Sequence, residues 1–246
     1  MPTPFPINES LTAIALSYRN ESLIADMVLP RVGVATDSFK YFKFNKDEAF
    51  TVPDTKIGRK SEANVVEFGG TEVTDSVADY GLKDVVPMSD LRNAAGTPFD
   101  PLGQASVNLS RLVLLDREIR VAGLVFNAAN FAAANKATLS GTSQWSDYTN
   151  SNPLDAMLAA FDTMIMRPNK LVLGQAVWTK LRQHPRIVEA VKSSGAGVSA
   201  QGTVTRQQVA DLLEIQEVIV GQGFYNTAKK GATAAYSRVW GKFAAA

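Results

Sequence analysis

The sequence predicts a mixed α+β protein made of an extended ribbon, one long helix and a separate α/β unit. Three observations carry that expectation. Residues 39–70 read FKYFKFNKDEAFTVPDTKIGRKSEANVVEFGG, two apolar, aromatic limbs around a charged middle. Residues 100–126 place apolar side chains every three or four positions, over more than twice the usual helix length of about 11–12 residues. Residues 152–246 alternate helix-like stretches with short apolar runs of strand type.

The chain has 246 residues, 46% of them hydrophobic and 20% charged, enough apolar content for a sizeable core. A formal net charge of +1 gives no global basic field of the kind that drives nucleic-acid binding by counterion release. The absence of cysteine excludes disulfides and thiolate metal sites. The start, MPTPFPINES, lacks the basic and apolar regions of a secretory signal. No stretch approaches the roughly 18 uninterrupted apolar residues of a membrane-spanning helix. The expectation is a soluble protein made in a reducing cytosol.

Taken in order, Leu11, Ile14, Ala15, Tyr18, Leu23 and Ile24 have helical spacing, interrupted near Arg19-Asn20-Glu21 and closed by Pro30. Residues 1–36 therefore read as an extended arm with a short helix. Residues 37–86 read as a long ribbon, with Pro53 and Gly58 breaking its charged tip. Its return limb alternates through Val66, Phe68, Val73, Val77 and Val85, with a bulge or bend at Gly69-Gly70. Asp100 is a good N-cap and Pro101 suits the first helical position. Leu102, Ala105, Leu109, Leu112, Leu115, Ile119, Ala122 and Phe126 then mark the predicted buried face of a helix about 40 Å long. A short strand is expected near Ala137-Thr138-Leu139, and a helix from Asn152-Pro153 carrying Leu154, Met157, Leu158, Phe161, Met164 and Ile165. NKLVLG (169–174) reads as a buried strand, and QAVWTKLRQH as a helix stopped by Pro185, which opens the next one. Residues 193–204 form a glycine/serine loop, Thr205 caps a further helix, and EVIVG and AAYSRVW are strands joined by a polar turn.

Candidate chemistry is thin. His184 precedes Pro185 at a helix end, where a cationic or hydrogen-bonding cap role outweighs catalysis, since no second histidine exists. The carboxylates are too scattered for a metal cage, and GAGVSAQG lacks the lysine–serine signature and preceding strand of a phosphate loop. Asp47/Glu48 and Asp116/Glu118 make poor acid–base dyads. The second pair is expected on the solvent side of the long helix, interleaved with Arg117 and Arg120. Phe39, Tyr41, Phe42 and Phe44 could stack on bases, but a sheet or subunit contact fits their alternation with lysines better. The sequence predicts no enzyme activity, no cofactor and no metal. An isolated two-stranded ribbon is at best marginally stable in water, which raises the question of what supports residues 37–86.

The order of parts resembles the major capsid proteins of tailed bacteriophages with the Hong Kong phage-type fold. The stretches that carry the resemblance are LTAIALSYRNESLIADMVLPRVGV, DPLGQASVNLSRLVLLDREIRVAGLVFN, GTSQWSDYTNSNPLDAM and PNKLVLGQAVWTKLRQHPRIVEAVK, which span most of residues 11–192. The resemblance implies an N-terminal arm (1–36), an extended loop (37–86), a peripheral domain around the spine helix (87–151, completed by 234–246) and an axial domain (152–233). It implies self-assembly through pentamers and hexamers into an icosahedral shell. The partners it implies are a separate scaffolding protein, a portal, a decoration protein and packaged double-stranded DNA held without sequence specificity. The setting implied is the virion, assembled in the bacterial host cytoplasm, with no membrane. The ribbon would then lean on a neighbouring subunit, with Lys56, Arg59 and Lys60 at its tip making contacts across the boundary. The ending SRVWGKFAAA reads as a strand still under way, where the family continues across the peripheral domain. Two alternatives stay open: an encapsulin-type nanocompartment shell, and an α/β ligand-binding protein or enzyme with residues 193–202 as a lid.

Overall fold

The computed structural model describes residues 8–193 and 202–246, so the glycine/serine loop falls mostly outside the described residues. The chain divides into two units, Arg31–Gly81 on one hand and Met1–Pro30 with Leu82–Ala246 on the other. Its elements run α1 (Glu9–Ser17), α2 (Ala25–Val28), β1 (Ser38–Phe44), α3 (Lys46–Phe50), β2 (Gly70–Ser76), α4 (Met88–Ala94), α5 (Pro101–Val125), α6 (Pro153–Asp162), β3 (Lys170–Gly174), α7 (Gln175–Leu181), α8 (Pro185–Ser193), α9 (Arg206–Leu213), β4 (Glu217–Gly221), β5 (Phe224–Asn226), β6 (Tyr236–Arg238) and β7 (Ala244–Ala245).

In the unit Arg31–Gly81, β1 and β2 pair antiparallel, with Phe39 opposite Asp75, Tyr41 opposite Val73 and Phe42 opposite Glu72. The two limbs are as expected, but they are shorter. The return limb stops at Ser76 instead of running to 86, and Val66 and Phe68 lie outside the strand. The charged middle holds a short helix, α3, which the reading of a wide turn did not anticipate. Glu48 on that helix accepts from the Asn45 side chain at 2.8 Å and the Gly69 backbone N–H at 2.6 Å, so one carboxylate ties the end of β1 to the start of β2. These donors hold its carboxyl below the ordinary range. No residue of this unit is buried.

In the other unit, Asp100 accepts from Leu102 N–H at 3.0 Å and Pro101 fills the first helical position, so α5 starts where its residue types require. Strands β4-β3-β7 form one sheet, with β3 and β4 parallel and β7 antiparallel to β3. Helices α7, α8 and α9 make the crossover between the parallel strands. Both faces of the strands are covered, hence their continuous apolar runs. Leu171, Leu173, Val218 and Val220 pack with Phe161, Trp178, Leu181, Ile187, Val209 and Leu213 from the helices. Val172 and Ile219 face the other way, toward Val121 and Ala122 of α5, Ile24, Ala25 and Trp240.

Several expectations are corrected. Residues 137–139 form no strand; short 3-10 turns at Ala128–Asn130, Ala133–Asn135 and Gly141–Ser143 occupy this region instead. The polar turn after β4 contains β5, which forms a separate hairpin with β6, so β4 and β6 belong to different sheets. Most consequential is the pattern of burial along α5. Its buried positions are Gly103, Glu118, Val121 and Ala122, while Leu102 and Leu112 are exposed. Of the expected stripe Ala122 is buried and Ala105, Leu109, Leu115, Ile119 and Phe126 are half-buried, so the expectation holds in part and fails at Leu102 and Leu112.

Candidate functional site

The three sequence-predicted contact residues sit in the tip of the ribbon unit. Gly58 O accepts from Ser61 N–H at 3.1 Å and Gly58 N–H donates to Ser61 Oγ at 2.7 Å. Arg59 and Lys60 thus occupy the two central positions of a tight turn. Lys56 N–H donates to Asp54 Oδ1 at 2.9 Å, a local turn that Asp forms readily. All three side chains are exposed, and none is ion-paired among the described residues. The structure brings these cations together on one short loop.

Behind the tip, the ribbon shows apolar surface on both faces. Phe39, Tyr41 and Val73 share one face; Phe42 and Phe44 lie on the other, 60% and 73% exposed. The Lys40–Glu72 ion pair lies across the strands on the second face. An exposed pair of this kind adds only about 0–1 kcal/mol, so it cannot replace a core.

His184 stands beside Ser151, its Nε2 3.0 Å from Ser151 Oγ, an arrangement that invites comparison with a serine–histidine dyad. The hydrogen bonds exclude that chemistry. Arg186 N–H donates to His184 Nδ1 at 3.3 Å, so Nδ1 is the bare nitrogen and Nε2 carries the proton. Ser151 Oγ in turn donates to Asp147 O at 2.6 Å. The imidazole therefore donates to the hydroxyl and cannot take its proton. Both residues are buried, and the Tyr148 ring stacks edge-on against the imidazole at 5.4 Å. The expected hydrogen-bonding cap is present, at the start of α8 and not at the end of α7; the cationic alternative is corrected.

Burial pushes the His184 pKa below its ordinary 6.5, against an opposing hydrogen bond to the Asp147 backbone and with a smaller push from Arg186. The folded state thus binds its proton less readily than the unfolded chain. Stability contributed by the neutral ring is complete above about 6.5 and is lost as pH falls from there toward the depressed folded value. The melting temperature should fall between pH 7 and pH 5, and His184→Asn should flatten that slope even if it lowers the neutral-pH value. An unchanged slope would show that another group governs acid sensitivity.

Glu118 departs furthest from expectation. Far from lying on the solvent side, it is fully buried. Its Oε1 accepts from Ile24 N–H at 2.9 Å and from Trp240 Nε1–H at 2.5 Å; its Oε2 accepts from Ala25 N–H at 2.7 Å. Trp240 is equally buried and lies over Gly221, where a Cβ would come within 2.1 Å of the ring. Gly174, the register partner of Gly221, gives the same clearance to the backbone of Trp240 and Gly241. A signal for Glu118 exists in the sequence: Val107, Leu114, Glu118, Val121 and Val125 follow helical spacing, placing a carboxylate inside an apolar stripe.

Among the described residues no group of three or more His, Cys, Asp or Glu side chains converges as a metal site, and no helix is long and apolar enough to cross a membrane. What the geometry offers is surface: a two-faced apolar ribbon with a cationic tip.

Comparison with known proteins gives that surface a context. Residues 125–236 match a family described as phage major capsid protein E. The chain is 47% identical over 241 residues to the major capsid protein of Pseudomonas phage JBD67, covering 98% of this chain and 76% of that protein. It is 28% identical to the major capsid protein of Burkholderia phage BcepMu, over 96% of this chain and 74% of the relative. A phage-related protein from Bordetella bronchiseptica RB50, known from its crystal structure, shares the fold with a TM-score of 0.67 and 25% identity. That match covers 97% of this chain and 75% of the other.

Proposed function

Because the chain belongs to the phage major capsid proteins, which are structural and not enzymatic, we propose that it closes into an icosahedral head shell around packaged double-stranded DNA. Pentamers and hexamers of this one chain would form the shell, with scaffolding, portal and decoration proteins as separate partners in the host cytoplasm. In this reading residues 1–36 are the N-terminal arm, 37–86 the extended loop, 87–151 with 234–246 the peripheral domain, and 152–233 the axial domain. The nanocompartment alternative gives way because the similar proteins are capsid proteins of phages.

The observation that carries self-assembly is the ribbon. It has no buried residue, yet it presents phenylalanines on both faces. Contiguous exposed apolar surface of this kind marks an interaction site, and a second copy of the chain is the occupant a shell supplies. Production of the chain with its phage's assembly proteins, followed by sedimentation and electron microscopy, tests the reading. Uniform closed particles are the expected result. A monomer at high concentration whose ribbon resists protease would overturn it.

Within that reading Lys56, Arg59 and Lys60 contact acidic groups of a neighbouring subunit. Arg59→Glu with Lys60→Glu should leave the melting of unassembled subunits nearly unchanged, because both side chains are exposed. Particle yield should fall, and fall further at raised salt, where surface pairs are screened. Equal yield at low and high salt would make the tip a passive solvated loop.

A further inference from the structure

The N-terminal segment is attached to its unit in an unusual way. Among described residues 8–30 only Ile24 and Ala25 are buried. Helix α1 buries nothing and rests on α5 through contacts such as Ser106 Oγ–H to Leu11 O, 3.1 Å. The firm attachment is at α2, a single helical turn. Glu118 takes the N–H groups at its start, Ile24 and Ala25. At its other end Arg117 Nη2–H donates to Leu29 O at 2.9 Å and to Asp26 Oδ1 at 2.7 Å, and Lys170 Nζ–H donates to Met27 O at 3.1 Å. A carboxylate thus meets the positive end of the turn, and two cations meet the negative end. These side chains come from α5 and β3, so the turn is gripped by its backbone and by charge.

We propose that Glu118 is the latch of a releasable strap: opening this clasp frees residues 8–30 while the β4-β3-β7 sheet stays folded. The sheet keeps its larger apolar cluster, to which the strap contributes no side chain among the described residues. The strap adds only Ile24 and Ala25, with Val28 at the margin, to the smaller one. Because Oε1 is shared between Ile24 N–H and Trp240 Nε1–H, the latch also couples strap and C-terminal segment. Loss of the carboxylate loosens both at once. Loss of the cations loosens the strap alone.

Hydrogen exchange on the unassembled full-length subunit tests this. Glu118→Gln keeps the size of the side chain but turns a donor toward donors. Exchange at Ile24, Ala25 and the Trp240 indole should accelerate by roughly ten- to hundredfold, as expected for lost hydrogen bonds to a charged group. The amides of Leu171–Leu173 and Val218–Val220 should keep their protection. Arg117→Ala with Lys170→Ala should accelerate the strap amides and leave the Trp240 indole unchanged. Equal acceleration in the sheet would make Glu118 a general support of the core and overturn the latch. Unchanged strap amides would do the same. If Glu118→Gln yields no soluble protein, the Arg117/Lys170 variant decides: faster strap exchange over a protected sheet upholds the releasable strap, and unaltered exchange refutes it.

Discussion

Val121→Asp should abolish soluble folded subunit, whereas Leu112→Asp should fold with little loss. The two positions lie nine residues apart on one helix and both are apolar in sequence. Val121 is 5% exposed and packs with Ala122, Val172, Ile219 and Trp240. An aspartate there is shut away from water among apolar side chains, and a buried charge without a built partner costs several kcal/mol, a large part of a typical domain's stability of about 5–15 kcal/mol. Glu118 lies one turn away, so the new carboxylate also meets a like charge in a poorly screened setting. Leu112 is 51% exposed, and its replacement meets water. Soluble yield and circular dichroism melting of the two variants give the comparison. A folded Val121→Asp subunit, or an insoluble Leu112→Asp one, would reverse the orientation of α5 described above.

That contrast shows which parts of the molecule can be read from sequence. The existence and start of α5 were legible because Asp100 and Pro101 satisfy local needs that do not depend on the rest of the chain. Its buried face was legible only in part, at Ala122 and Phe126, because apolar residues line two sides of the helix. Leu102, Ala105, Leu109 and Leu112 form one stripe; Val107, Leu114, Val121 and Val125 form another. Periodicity finds helices, but it cannot tell a side buried in the subunit from a side left to neighbours. Glu118 was hidden by the rule that charges face water, which fails when backbone N–H groups and an indole supply the missing solvation. Trp240 meets the glycines beneath it across 66 residues of sequence at Gly174 and 19 at Gly221, beyond any local pattern. By contrast Thr205 announces α9 through a capping box completed by Gln208, a reading that needs only four residues. The predicted tip cations were recovered as one loop because Pro53 and Gly58 preclude regular structure there. Their interfacial role still rests on the proposed assembly.

Phe42→Asp combined with Phe44→Asp should eliminate particles while leaving the isolated subunit's stability almost unaltered. The two rings lie on the same face of β1, opposite Glu72 and Gly70, and both are exposed in the subunit. Introducing aspartate there buries no charge in the free chain, and the backbone ladder to β2 does not depend on these side chains. Its cost before assembly is limited to repulsion from Glu72 across the strands, a few tenths to about 1 kcal/mol for like charges directly opposite. In a shell the account changes. Covering a phenylalanine by a neighbour contributes about 1.5–3 kcal/mol, and replacing it by aspartate replaces that gain with the penalty of desolvating a carboxylate. The same two losses recur at every copy, so modest changes per contact abolish closure of the particle. Sedimentation should show the variant only as small species, and melting of the unassembled subunit should match the parent within a few degrees. Normal particles would mean that this face stays in water after assembly, and the ribbon's support would then have to come through Phe39, Tyr41 and Val73 on its other side. A collapse of subunit melting would mean instead that the ribbon is supported within its own chain.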